Sequence, residues 1–193
     1  RVKDVMVSNC LPMGAYEFMI NPEYKDIFTT EGWFYTPLLR KAHKNGNVSF
    51  IPNHLHLAAK KRLFYREPDI YVGIASMPDK HGYVSLSISN TYEMQMIKKA
   101  KTVILEINPN APRTFGDVQL HIDDVDYLVE VDYPMPEIAD VEPNEKDLAI
   151  GKLIADMIND GDCIQLGIGG IPNAVAASLY GKKNLGVHTE MLT

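Results

Sequence analysis

The sequence holds two cysteines, one tryptophan and no long apolar run among its 193 residues. Each shortage excludes something. Cys10 and Cys163 lie far apart, so neither a metal-ligand spacing nor a redox spacing is available, and no metal site is expected. Two reduced thiols point to the cytoplasm. No apolar stretch approaches the roughly 20 residues of a membrane-spanning helix, so no membrane partner is expected. The opening, Arg1-Val2-Lys3, carries no signal-peptide pattern and no initiating methionine, and the native N-terminus is expected further upstream. A net charge of −6 argues against nucleic acid as the partner. Internal repeats and low-complexity tracts are absent.

What is present fits one core, or one domain and part of a second: 46% hydrophobic and 23% charged residues. Charge is segregated. Arg40 to Arg66 holds seven basic residues and no acidic one, whereas Asp117 to Asp147 holds eleven acidic residues against Lys146 alone. Both runs read as solvated surface, and the basic one could instead face phosphates.

Short apolar runs alternate with amphipathic stretches, which predicts an α/β fold. Strands are expected over 48–51, 69–75, 83–86, 102–107, 118–122 and 127–131, and helices over 54–66 and 90–101. Asn90 is the expected cap of the second helix, with Glu93 bonding back. Thr102 to Ile107 is nearly all apolar, as in a sheet covered on both faces. Residues 132–144 combine Pro134, Pro136 and Pro143 with acidic side chains and read as an exposed linker. A domain boundary is placed near residue 141, giving domains over 1–141 and 142–193. Beyond it, Asn144 caps a helix that Gly161 ends. A strand over 162–166, a turn over 167–170, a helix over 172–180 and a strand over 185–188 follow. Such a strand–helix–strand unit predicts two parallel strands.

The chemistry concentrates in this last unit. Gln165-Leu166-Gly167-Ile168-Gly169-Gly170-Ile171-Pro172-Asn173 puts three glycines after a strand, where backbone amides can approach a ligand. One use is dinucleotide binding, but Pro172 stands where the fingerprint needs its third glycine. The other is acyl transfer. Glu190, at the carboxyl end of the next strand, would lie beside the turn, its carboxylate the nucleophile and the amides an oxyanion hole.

These residues resemble a known family. Gln165 to Val175 and Gly186-Val187-His188-Thr189-Glu190-Met191 are similar to the acetyl-CoA hydrolase / 4-hydroxybutyrate CoA-transferase family, which is a group of glutamate-nucleophile CoA-transferases. Gly82-Tyr83-Val84-Ser85-Leu86 and Asn108-Pro109-Asn110-Ala111-Pro112-Arg113-Thr114 are similar to the same family. The resemblance implies a CoA-transferase-like α/β fold of two similar domains, mostly parallel sheets covered by helices, of which this chain holds only part. It implies an active site between the domains, Glu190 as the residue that carries coenzyme A, and contacts to coenzyme A from Gln165, Leu166, Gly167, Ile168 and Gly169. The substrates implied are acyl-CoA and small carboxylic acids, with no permanently bound cofactor and a homo-oligomer, a dimer, as the assembly. Hydrolysis of acyl-CoA and a non-catalytic CoA-binding role are the alternatives.

Several further residues leave two readings open. His54 and His56 form a helix-end pair or two ligands of a metal. His188 is a structural histidine or a support for Glu190, whose face it shares by alternation. Arg113 and Thr114 close a turn or line a cleft. Met94, Met96 and Met191 are packing residues.

Overall fold

A computed structural model describes residues 2–137, 139 and 141–190. The chain divides into two compact units, Arg1–Pro136 and Glu137–Thr193. The division lies within the proline-rich acidic stretch. Each unit is α/β with parallel strand pairing.

The first unit opens with β1 (Val5–Asn9), α1 (Glu17–Ile20), β2 (Phe28–Gly32) and α2 (Pro37–Ala42), which carry little signal in the sequence, followed by β3 (Val48–Phe50), where a strand is expected. The strands form one parallel sheet in the order β1-β2-β3. Thr36 starts α2 by accepting the Leu39 amide at 3.3 Å, and Pro37 fills the first turn, where its missing N–H costs nothing. Met19 from α1, Leu39 and Ala42 from α2 and Val48 from β3 make the core beside this sheet.

A second parallel sheet, ordered β4-β6-β8, follows. α3 (Ala58–Tyr65) leads to β4 (Ile70–Ala75), β5 (Tyr83–Ser85), α4 (Glu93–Ile97), β6 (Thr102–Ile107), β7 (Gln119–His121) and β8 (Tyr127–Glu130). β5 and β7 pair antiparallel as a separate ribbon. Val103, Leu105 and Ile107 of β6 point into the main core with Ala75, Val84, Leu86, Ile97 and Leu120. The opposite face of the sheet shows Ile70, Val72 and Tyr127 to solvent.

Two details differ from the sequence reading here. The helix expected over 90–101 is short, Glu93–Ile97, and Asn90 does not cap it. The Asn90 amide donates instead to the Ser87 carbonyl at 2.8 Å, closing a turn around Ser87, which has a left-handed φ of 59°. Glu93 does bond back, but to the Tyr92 amide at 2.8 Å. The strand expected over 127–131, whose alternating residues predict one buried face, is β8, which lies at the edge of the sheet and is exposed along its whole length.

The second unit contains α5 (Glu145–Met157), β9 (Cys163–Ile164), α6 (Gly170–Ser178) and β10 (Gly186–Val187). Asn144 caps α5 through a reciprocal box: its side chain accepts the Asp147 amide at 3.1 Å, and the Asp147 carboxylate accepts the Asn144 amide at 3.0 Å. α5 ends at Met157, before Gly161. Asp162 draws the chain out of the helix by accepting the Asn159 amide at 2.7 Å, and Gly161, at φ 85°, turns within this segment. α5 crosses α6 closely at Gly151, where a β-carbon would lie 2.7 Å from the Ala174 carbonyl carbon. Ala155, Val175 and Leu179 fill the seam, and Ile164, Leu166 and Leu185 of the sheet pack against it.

Candidate active site

The site is built on β9 and β10, which pair in parallel, Gly186 opposite Cys163 and Val187 opposite Ile164. The Gly186 amide donates to the Asp162 carbonyl and the His188 amide to the Ile164 carbonyl, each at 2.9 Å. The register therefore runs on past the strand ends: Thr189 falls beside Leu166, and Glu190 beside Gly167. The Thr189 hydroxyl closes this by donating to the Leu166 carbonyl at 2.5 Å.

Side-chain alternation then sorts the residues. Ile164, Leu166 and Leu185 face the helices. Cys163, Gln165, His188 and Glu190 are exposed and share the opposite, open face. Glu190 forms no ion pair with a described residue. The turn after β9 brings Gly167 alongside this row, and Ile168 is exposed at its tip. Gly169 sits at φ 109° and ψ −176°, a conformation reserved for glycine, and its carbonyl accepts the Asn173 amide at the start of α6.

Among the sequence-predicted site residues, Gln165, Gly167, Ile168, Gly169 and Glu190 are thus brought to one end of a single strand pair. Leu166 differs from the rest. Its side chain belongs to the core and its carbonyl is taken by Thr189, which leaves its amide as the group it can offer. The sequence reading also missed Asp147. A β-carbon on Gly170 would lie 2.4 Å from the Asp147 carboxylate, so an acidic group already stands at the N-terminal turn of α6. The signal was there in Asn144: its capping box fixes the Asp147 carboxylate at the start of α5.

The other candidates resolve by their contacts. Arg113 donates to the carbonyls of Met77 and Tyr83, at 2.8 and 2.7 Å, and lies 3.8 Å from the Asp79 carboxylate, so it ties two loops together. The Thr114 hydroxyl meets the Ser85 hydroxyl at 2.8 Å and donates to the Ser87 backbone carbonyl at 2.8 Å. His54 and His56 are exposed, with ring centres 5.7 Å apart, and among the described residues no group of three side chains could hold a metal ion. Met96 is buried and Met94 packs against the main core; Met191 lies outside the described residues. Within the basic run, Arg62 is largely withdrawn from solvent and pairs with the buried Glu31 at 3.0 Å, which departs from a purely solvated face. No helix among the described residues is long and apolar enough to cross a membrane.

An α/β chain with a glycine turn and an exposed carboxylate at the ends of paired parallel strands has the parts of an acyl-transfer site. Residues 13–139 match the acetyl-CoA hydrolase/transferase N-terminal domain, and the chain belongs to that family. It is 42% identical over 163 residues to the succinyl-CoA:cyclohexane-1-carboxylate CoA transferase of Geobacter metallireducens, covering 83% of this chain and 37% of that protein. It is 40% identical over 158 residues to the 4-hydroxybutyrate coenzyme A transferase of Clostridium kluyveri, covering 80% and 36%. Among solved structures, RipA from Yersinia pestis matches with a TM-score of 0.89 at 28% identity, covering 98% of this chain and 46% of RipA. The 4-hydroxybutyrate CoA-transferase of Porphyromonas gingivalis matches at 0.75 and 28%, covering 98% and 51%. The chain therefore spans about half, or less, of the length of these relatives.

Proposed function

We propose that the protein to which this chain belongs is an acyl-CoA:carboxylate CoA-transferase, and that Glu190 carries coenzyme A between the two half-reactions. The observation that carries this reading is the parallel register of β9 and β10, which brings residue 190 alongside Gly167 on the open face that Gln165 shares. The Glu190 carboxylate attacks the thioester carbonyl. Amides of the Gly167–Gly169 turn hold the resulting oxyanion. The C–S bond breaks, giving an acyl-glutamyl anhydride and CoA thiolate. The thiolate then attacks the glutamyl carbonyl, releasing the first carboxylate and leaving a glutamyl-CoA thioester. A second carboxylate runs the same steps in reverse. Gln165, on the same face, is one strand across from the reacting carbonyl and is suited to donate to it.

The names of the relatives support small carboxylates as the acids exchanged, acetate, butyrate and 4-hydroxybutyrate among them. They also favour transfer over hydrolysis, since those relatives are CoA transferases. Neither cysteine forms a disulfide among the described residues, which suits a reducing, cytoplasmic setting. A dimer and a division into family domains near residue 141 complete the proposal.

The test uses the full-length protein. Incubation with acetyl-CoA or butyryl-CoA should give an intact-mass adduct of one coenzyme A, which borohydride reduces and Glu190→Ala abolishes together with turnover. Normal turnover in that variant, or no adduct in the wild type, refutes the assignment. Turnover that proceeds at full rate without an acceptor acid turns the reading to hydrolysis.

A further inference from the structure

The turn over 167–170 carries little that could hold it in one shape by itself. Gly167, Gly169 and Gly170 have no side chains to pack, and Ile168 is exposed at the tip. Donors that receive an oxyanion must be aimed before the reaction, and a displacement of about 1 Å can cost about 100-fold in rate. The aim of this turn therefore has to come from outside it.

Two ties reach the turn from the segment that enters α5. The first is Asp147. Its Oδ2 accepts the Asn144 amide at 3.0 Å, which keeps the carboxylate from swinging away. A β-carbon on Gly170 would collide with the same oxygen and lie 3.1 Å from Cγ, so the turn's backbone is pressed against a group that is itself fixed. The second is Asn173, in the first turn of α6. Its side-chain amide donates to the Val141 carbonyl at 3.3 Å, and its backbone amide donates to the Gly169 carbonyl at 3.1 Å. One residue thus bonds the glycine turn on one side and the incoming chain on the other. Pro172 adds support from within α6, with its ring 3.6 Å from a β-carbon position on Gly167.

Capping of α5 explains part of this arrangement. Asn144 and Asp147 form a reciprocal box, and such a box needs no third partner. It does not account for the Asp147 carboxylate standing against Gly170. Nor does it account for Asn173 reaching back to Val141. Both ties end on consecutive residues of the turn, Gly169 and Gly170.

We propose that Asp147 and Asn173 are positioning residues for the transfer reaction. They clamp Gly169 and Gly170 to the chain entering α5, and so aim the amides of the Gly167–Gly169 turn at the thioester oxygen; this rests on the acyl-transfer reading of that turn. Both act through the backbone of the turn and neither touches substrate. Their loss should therefore slow the chemical step and leave the binding of acyl-CoA nearly as it was.

The test uses the full-length protein with butyryl-CoA as donor and acetate as acceptor. Asp147→Ala should lower kcat about 10- to 100-fold, with KM for the donor within about 3-fold of wild type. Asp147→Asn, which keeps an oxygen for the Asn144 amide, should recover most of that rate. Asn173→Asp, the same shape without the donor, should lower kcat about 5-fold. Gly170→Ala should be as damaging as Asp147→Ala, yet cost clearly less once residue 147 is already alanine, because the colliding oxygen has gone. Hydrogen exchange supplies a readout free of activity: amides over 165–171 should exchange faster in Asp147→Ala, as in wild type in Asp147→Asn, and those of β10 should not change. Additive losses for Gly170→Ala and Asp147→Ala overturn the proposal. So does a loss in Asp147→Asn as deep as in Asp147→Ala, or an effect confined to KM or to the melting temperature. If Glu190→Ala keeps its turnover, the acyl-transfer reading fails, and the exchange rates then decide by themselves whether the clamp holds the turn.

Discussion

Gly151 offers a test of how the second unit is packed. A glycine in the middle of a 13-residue helix is a poor choice by propensity: replacing it with alanine should help α5 by about 1 kcal/mol. The neighbourhood predicts the opposite. The added methyl would sit 2.7 Å from the Ala174 carbonyl carbon, 2.8 Å from its β-carbon and 2.8 Å from its oxygen. Two of these are backbone atoms of α6 and cannot rotate aside, so α5 and α6 must move apart and loosen Ala155, Val175 and Leu179. Overpacking of this kind costs about 1–3 kcal/mol. The balance is a loss of about 1 kcal/mol for Gly151→Ala and a larger one for Gly151→Val. In urea unfolding of the full-length protein, a slope of about 2 kcal/mol/M turns the first into a midpoint lower by about 0.5 M. Lys152→Ala, on the exposed side of the same helix, should stay within about 0.5 kcal/mol of wild type. A midpoint for Gly151→Ala equal to or above wild type would refute the close approach.

Ser87 should respond in the other direction. It is fully buried, holds φ 59°, and its hydroxyl oxygen has no hydrogen-bond partner among the described residues. Ser87→Gly removes a left-handed penalty of about 1–2 kcal/mol against a glycine entropy cost of about 0.5–1 kcal/mol, so the melting temperature should rise; a fall refutes the strain. At alkaline pH three tyrosines should titrate late. Burial first, and Glu93 second, push Tyr71 and Tyr92 above the ordinary phenol range, and the hydrogen bond to the Glu106 carboxylate holds Tyr133 up at about 12. A group whose folded value is raised contributes stability that is complete below its unfolded value of 10.0 and is lost as pH rises through the folded value. Stability should therefore fall between pH 10 and 12, and absorbance at tyrosinate wavelengths should show a late group that Tyr71→Phe and Tyr92→Phe diminish. Ionisation of all tyrosines in one step near pH 10 would contradict it.

The parts legible in the sequence are those whose causes are local. Asn144 and Asp147 signal the start of α5 across three residues, and Gly169 with Pro172 marks the turn into α6. The strand–helix–strand order then fixes parallel pairing by the length of the crossover alone. The first 47 residues were opaque for the opposite reason. β2 reads Phe-Thr-Thr-Glu-Gly, and Glu31 can be buried there because Arg62, from α3, meets it; no window along the chain contains both. Asn90 misled because an asparagine has more than one backbone partner in reach, and the Ser87 carbonyl won. Within the site, the glycine turn and Glu190 were readable as residue types. That Leu166 turns inward, or that Asp147 stands beside Gly170, depends on how α5 lies against α6.

The pairing of β9 with β10 is only two residues long, and its extension to residue 190 hangs on the His188 amide and the Thr189 hydroxyl. A one-residue slip there would swap the exposed row for its neighbours and turn a hydroxyl outward in place of the carboxylate. Thr189 thus works as a latch on the aim of the next side chain. Warming, or replacement of Thr189 by valine, should blur that aim well before the helices melt, so loss of reactivity and loss of helical signal would part company along the temperature axis.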